Sequence, residues 1–154
     1  MGLPPKNTLL PKNLDIIEGE SGIPKLVHEW KGDTEVWYHK DNKFKRPKAI
    51  VKVKIYPKAG LMKELGLSAN GRVITELWVA VVKEHLREFN YMAEMASLEL
   101  EFTVGNDGVT LEFSGFNDSL ATFVDQALER IAKLHHLDDK TLDLLFAQAK
   151  EKLS

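Results

Sequence analysis

The residues with the clearest chemical potential are His85 and Glu88, in the run His85-Leu86-Arg87-Glu88-Phe89. In the H-x-x-E-H pattern of a zinc hydrolase, two histidines four apart on a helix converge on one metal and the glutamate between them holds the attacking water. Here Phe89 takes the place of the second histidine. Zinc held by His85 and a carboxylate would be weakly bound, and His85 also falls in an apolar stripe. A histidine packed at the edge of the core, or hydrogen-bonded locally, is therefore expected. His135 and His136 are adjacent at the end of a predicted helix, where neighbouring side chains point apart, and they read as cations following its last turn. His28 and His39 have no histidine or acidic companion at a diagnostic spacing.

Other catalytic chemistries are poorly supported. The chain has no cysteine, which excludes disulfides, thiolate nucleophiles and cysteine-based zinc sites. None of Ser21, Ser68, Ser97, Ser114, Ser119 and Ser154 sits in a G-x-S-x-G elbow, and no glycine-rich phosphate loop is present. Glu99, Glu101 and Glu112 resemble the paired carboxylates of a glycosidase, but their regular alternation is that of a solvated sheet face. Lys40, Lys43, Lys45, Arg46, Lys48, Lys52, Lys54 and Lys58, interleaved with Phe44 and Tyr56, form a basic cluster of the kind that binds nucleic acid or another polyanion. A net charge of -2 gives that reading no general support. The simpler expectation is that Lys52 and Lys54 lie across the outer face of a sheet from Glu99, Glu101 and Glu112.

The elements that must position these residues follow from periodicity. Val73, Ile74, Leu77, Trp78, Val81, Val82, His85, Leu86, Phe89, Met92, Ala93 and Ala96 recur at helical steps, which predicts a central helix over Gly71–Ala96. Ser68 or Asn70 is suited to cap it, after a loop punctuated by Pro57, Gly60 and Gly66. Residues 35–40 read as a strand followed by a turn at Asp41-Asn42-Lys43. Ala49, Val51, Val53 and Ile55 alternate with Lys52 and Lys54 in a second strand. Leu98, Leu100, Phe102 and Val104 alternate with acids, Gly105-Asn106-Asp107-Gly108 turns the chain, and Val109, Leu111 and Phe113 resume the pattern as a hairpin. Asn117 or Asp118 is the expected cap of a helix burying Leu120, Phe123, Val124, Ala127, Leu128, Ile131 and Leu134. Asp138 caps a last helix burying Leu142, Leu145, Phe146 and Ala149.

This order predicts an α+β fold, an antiparallel sheet with helices packed on one face. Residues 1–34, with Pro4, Pro5, Pro11 and Pro24, are expected to form an extended arm without a regular core, and residues 35–154 the domain itself. Leu9, Leu10, Leu14, Ile16 and Ile17 give that arm apolar side chains with which to pack on a surface. No apolar leader or membrane-spanning run is visible, and a cytoplasmic address is the default expectation.

Several stretches carry a specific resemblance. LPPKNTLLPKNLDI, with Asn7 and Pro11, resembles the inter-domain segment of the pitrilysin/insulysin family of zinc metallopeptidases, the inverzincins. VWYHKDNKFKRPKA matches at Trp37, Asp41, Phe44, Pro47, Lys48 and Ala49. EFNYMAEMASLELEF matches at Glu88, Tyr91, Ala93, Ala96 and Leu98, and GFNDSL at Gly115, Asn117 and Asp118. The resemblance is to that family's third, non-catalytic domain and covers nearly the whole chain.

It implies a partial insulysin-like α+β domain that encloses unfolded peptides and scaffolds the catalytic half, in cis or in trans, without activity of its own. It places zinc only in the catalytic domain of a full-length relative. Lys52, Lys54, Tyr56, Glu99, Glu101 and Glu112 are the candidate peptide-facing residues, and neither a membrane nor nucleic acid is the expected partner. The family's domain continues with further helices, so a fragment or truncated homologue, able to self-associate through surface left uncovered, is expected. The competing readings are a stand-alone module binding a polyanion through Lys40 to Lys58 and a module pairing a peptide to a sheet edge.

Overall fold

A computed structural model describes residues 6–19, 21–30, 34–41, 43–56 and 69–153. The expected loop with Pro57, Gly60 and Gly66, the candidate cap Ser68, the side chain of Asn70, and Lys58 of the basic cluster all lie outside the described residues. The chain divides into two compact units, residues 13–47 and the remainder.

The smaller unit is built on a hairpin. Strand β1 (Lys25–Trp30) pairs antiparallel with β2 (Thr34–Tyr38), Leu26 facing Trp37 and Glu29 facing Glu35, with a bulge between Leu26 and His28. β1 is a strand in what the prolines suggested was an irregular arm. Pro24 immediately precedes it, a position where the missing amide costs no ladder bond. The boundary expected between residues 34 and 35 thus falls inside the hairpin. Of the turn expected after it, Asn42 lies outside the described residues, and the Lys43 amide donates to Asp41 Oδ1 at 2.7 Å.

In the larger unit, β3 (Lys48–Ile55), β4 (Glu99–Val104) and β5 (Val109–Phe116) form an antiparallel sheet in the order β3-β5-β4. Alternation sets its faces as the sequence predicts: Val109, Leu111 and Phe113 are buried, while the intervening residues of β5 are only partly covered. Gly105 N–H donates to the Gly108 carbonyl at 2.8 Å to close the β4–β5 turn. At φ +151°, Gly108 lies so near β3 that a Cβ would stand 2.1 Å from the Ile55 carbonyl oxygen, so this position requires glycine.

Among the described residues the sheet is accompanied by four helices, α1 (Ala69–His85), α2 (Arg87–Glu94), α3 (Asn117–Lys133) and α4 (Asp139–Leu153), with a 3₁₀ turn at Leu134–His136. The single helix expected over Gly71–Ala96 is broken at Leu86, where φ is -89° and ψ is 0°. The hydrogen-bond ladder still passes through the break, from Leu86 N–H to Val82 O and from Asn90 N–H to Leu86 O. With Leu86 fully buried at the bend, hydrophobic periodicity alone shows no interruption. Ser97, at φ +58°, turns the chain into β4, and Leu98 N–H returns to the Ala93 carbonyl at 3.0 Å.

Val82, Leu86, Leu111, Phe113, Phe123, Ala127 and Ala149 are excluded from solvent. Each large side chain so placed contributes about 1.5–3 kcal/mol against chain entropy. Three aromatic rings connect the layers: Phe113 meets Phe123 edge-on and Phe89 stacks on Phe123, both at 5.5 Å between centroids. Four expected inward positions are instead exposed, Ile55, Val73, Ile74 and Phe146. The apolar period of α1 begins before residues that find packing partners, which start at Leu77.

Caps differ likewise. Asp138 caps α4 as expected, accepting from the Thr141 amide at 2.9 Å and from its hydroxyl at 2.8 Å. At α3 the N-cap is Phe116 in an extended conformation without a side-chain bond, and Asp118 Oδ2 instead accepts the Lys12 amide at 2.7 Å. That contact helps dock the start of the chain. The Asn7 side-chain amide donates to the Met92 carbonyl at 2.7 Å and Asn7 Oδ1 accepts Leu9 N–H at 3.0 Å, leaving Leu9 only 2% exposed.

Candidate functional site: the outer face of the sheet

Strand register assembles the candidate residues into rows. Lys52 faces Glu112 on β5, which in turn faces Glu101 on β4; Ile50, Ser114 and Glu99 form the row on one side, and Lys54, Thr110 and Thr103 the row on the other. The Lys52 ammonium lies 2.8 Å from Glu112 Oε2, the cross-strand pair expected from the sequence.

The other expected pairings take different partners. Lys54 stands opposite Thr110, and its ammonium reaches Asp107 in the β4–β5 turn at 2.8 Å. The Asp107 hydrogen bond raises the Lys54 ammonium above the ordinary lysine value and holds the Asp107 carboxyl below the ordinary aspartate value. Tyr56 lies beneath the same ammonium, 5.0 Å from nitrogen to ring centroid. Glu99 faces a serine, and Glu101 faces another carboxylate. Among the described residues, no ion pair involves Glu99 or Glu101.

The basic cluster is divided by the fold. Lys40, Lys43, Lys45 and Arg46 belong to the smaller unit, and Lys48, Lys52 and Lys54 to the larger. Several of these cations are engaged close by: Lys40 donates to the Ile17 carbonyl, Lys43 covers the Phe44 ring and Lys48 the Phe116 ring.

The near-miss zinc motif is a packing feature. His85 is half-buried at the end of α1, Glu88 is exposed on α2, and Phe89 is buried against Phe123 with the Arg130 guanidinium also over its ring. The neighbouring Glu84 is buried and pairs with Arg87 at 2.9 Å. Among the described residues, no three histidine, aspartate or glutamate side chains gather as metal ligands. His135 and His136, expected to diverge, hold their rings 3.8 Å apart. Both residues are exposed.

A cleft of about 600 Å³ lies elsewhere in the larger unit, between the docked start of the chain and helices α2 and α3, lined among others by Asn7, Leu9, Phe89, Tyr91 and Arg130. Sequence reading missed it. The available signal was the apolar content of the arm, which places Leu9 against something without saying what.

Residues 1–154 match the family described as the middle or third domain of peptidase M16. The chain belongs to this family. Within the M16 peptidases it is similar to insulin-degrading enzyme-like 2 of Arabidopsis thaliana, 25% identical over 140 residues, covering 90% of this chain and 14% of that protein. It is also 25% identical over 146 residues to the insulin-degrading enzyme of Homo sapiens, covering 93% of this chain and again 14% of the relative. The fold is that of pitrilysin: a crystal structure of that protein superposes with a TM-score of 0.78 at 21% identity, covering 99% of this chain and 15% of the other. An M16 middle domain with an α+β sheet-and-helix fold is what the sequence resemblance implied. Among the described residues, no helix is long and apolar enough to cross a membrane.

Proposed function

We propose that this chain is the non-catalytic part of an insulysin-like zinc peptidase, scaffolding the catalytic half and presenting the outer face of its sheet to the peptide that the assembled enzyme encloses. The observation that carries the proposal is the match of the whole chain to an M16 middle domain, in a sequence where Phe89 stands where H-x-x-E-H needs its second histidine. In this reading zinc belongs to the catalytic domain. Lys52, Lys54, Glu99, Glu101 and Glu112 on the outer face of the sheet, with Tyr56 just past the end of β3 beside Lys54, are the peptide-facing residues in this reading. The polyanion-binding alternative is weakened by the local engagement of Lys40, Lys43, Lys48, Lys52 and Lys54.

The test is elemental analysis and a peptidase assay on the purified chain, which should show no stoichiometric zinc and no turnover of unfolded peptides. Tight zinc binding abolished by His85→Ala would overturn the proposal.

A further inference from the structure

The three-stranded sheet ends in two edges, and they differ in charge. On β3, Lys52 is matched by Glu112 on β5 and Lys54 by Asp107 in the β4–β5 turn, while Lys48 covers the Phe116 ring. On β4 the outer-face acids have no ion-pair partner among the described residues: Glu99 faces Ser114, and Glu101 faces Glu112, a like-charge neighbour directly across the strands. Such a pair works against the sheet that contains it. A cation arriving beside β4 would relieve it.

The backbone of β4 is equally incomplete. Among the described residues it pairs with β5 alone, so alternate N–H and C=O groups along Glu99–Val104 point outward, as at any sheet edge. On the inner face of the same strand, Leu100, Phe102 and Val104 are only half-buried, and Lys83 of α1 reaches the Phe102 ring at 5.7 Å. A strand added beside β4 would continue the pleat. Its outer residues would stand next to Glu99, Glu101 and Thr103, and its inner residues next to Leu100, Phe102 and Val104.

We propose that the open edge of β4 is a docking site for an extended peptide segment in which basic and apolar residues alternate, the basic ones beside Glu99 and Glu101 and the apolar ones completing the cover of Leu100 and Phe102. Main-chain hydrogen bonds supply affinity without regard to sequence, and the two carboxylates supply the preference. The inference rests on the peptide-enclosing reading above and names both the edge used and the chemistry of the segment.

The experiment follows backbone amide chemical shifts of the full chain during titration with a short synthetic peptide alternating lysine with valine, and in parallel with one alternating glutamate with valine. The lysine peptide should shift the amides of Glu99–Val104, with those of β3 unaffected, and should bind on the order of tenfold more tightly than the glutamate peptide. The double variant Glu99→Lys, Glu101→Lys should reverse that order. Equal binding of both peptides, shifts confined to β3, or an order unchanged in the double variant would overturn the edge assignment while leaving peptide binding in place. No shift with either peptide would overturn the peptide-enclosing reading as well. If sedimentation shows self-association that moves the β4 amides with chain concentration alone, the edge belongs to a second copy and the proposal falls.

Discussion

Arg130 places its guanidinium carbon 4.6 Å from the centre of the Phe89 ring, whose own stacking partner is Phe123. The ring therefore joins α2 to α3 and carries a surface cation over it. Truncation at this position, Phe89→Ala, should cost about 3–5 kcal/mol, read as a lower urea midpoint without a change of slope. The variant Phe89→His completes an H-x-x-E-H sequence. It should still bind no stoichiometric zinc, because the introduced imidazole would take the place of a buried ring and His85 gains no third protein ligand.

Two glycines of β5 and its turn are held by close neighbours. A Cβ at Gly108 would meet the Ile55 carbonyl oxygen at 2.1 Å, and one at Gly115, where φ is +146°, would meet Leu98 Cδ2 at 2.5 Å and the Ser97 carbonyl oxygen at 2.8 Å. Each alanine substitution should destabilise by at least about 1–3 kcal/mol. Gly108→Ala is expected to be the worse, since at 2.1 Å its nearest neighbour is strand backbone. Thermal denaturation of the two variants in parallel checks the order.

Of the outer-face charges, the Lys52–Glu112 pair is solvated, the lysine side chain being 62% exposed. A double-mutant cycle between the two should return less than about 1 kcal/mol, shrinking as salt is added. Glu101→Lys, which replaces the like-charge contact with Glu112 by an attractive one, should stabilise by a few tenths of a kcal/mol on the scale of cross-strand pairs, roughly 0.2–1 kcal/mol.

The α4 cap gives a dependence on pH. Hydrogen bonds from the Thr141 hydroxyl and amide hold the Asp138 carboxyl below the ordinary aspartate value. A folded-state pKa depressed in this way contributes stability above the unfolded pKa, and the contribution is lost as pH falls through the folded value. Amide protection in the first turn of α4 should therefore fall below about pH 4. Asp138→Asn should keep much of the cap and lose that pH dependence.

Much of the larger unit is legible in the sequence because one side of each strand must be dry. Alternation alone places Leu111 and Phe113 inside and Glu99, Glu101 and Glu112 outside. Exact cross-strand partners are another matter: they depend on register, which put Lys54 beside Thr110 and sent its charge to Asp107 in the turn. The bend at Leu86 was invisible because a buried leucine fits the helical period on both sides of it. β1 was masked by composition, since Pro24 and its neighbouring glycines describe the approach to the strand rather than the strand.

The docked start of the chain fixes an order of events as well as a position. Asn7 bonds to Met92 across a sequence separation of 85, and Lys12 bonds to Asp118 across 106. Contacts that close such long loops carry a large entropic cost and form after the local helices and the β4–β5 hairpin have reduced the search. Residues 7–12, which precede the rest of the larger unit in sequence, are thus among the last of it to settle. Until they do, the surface that Leu9 covers stays open to other apolar chains.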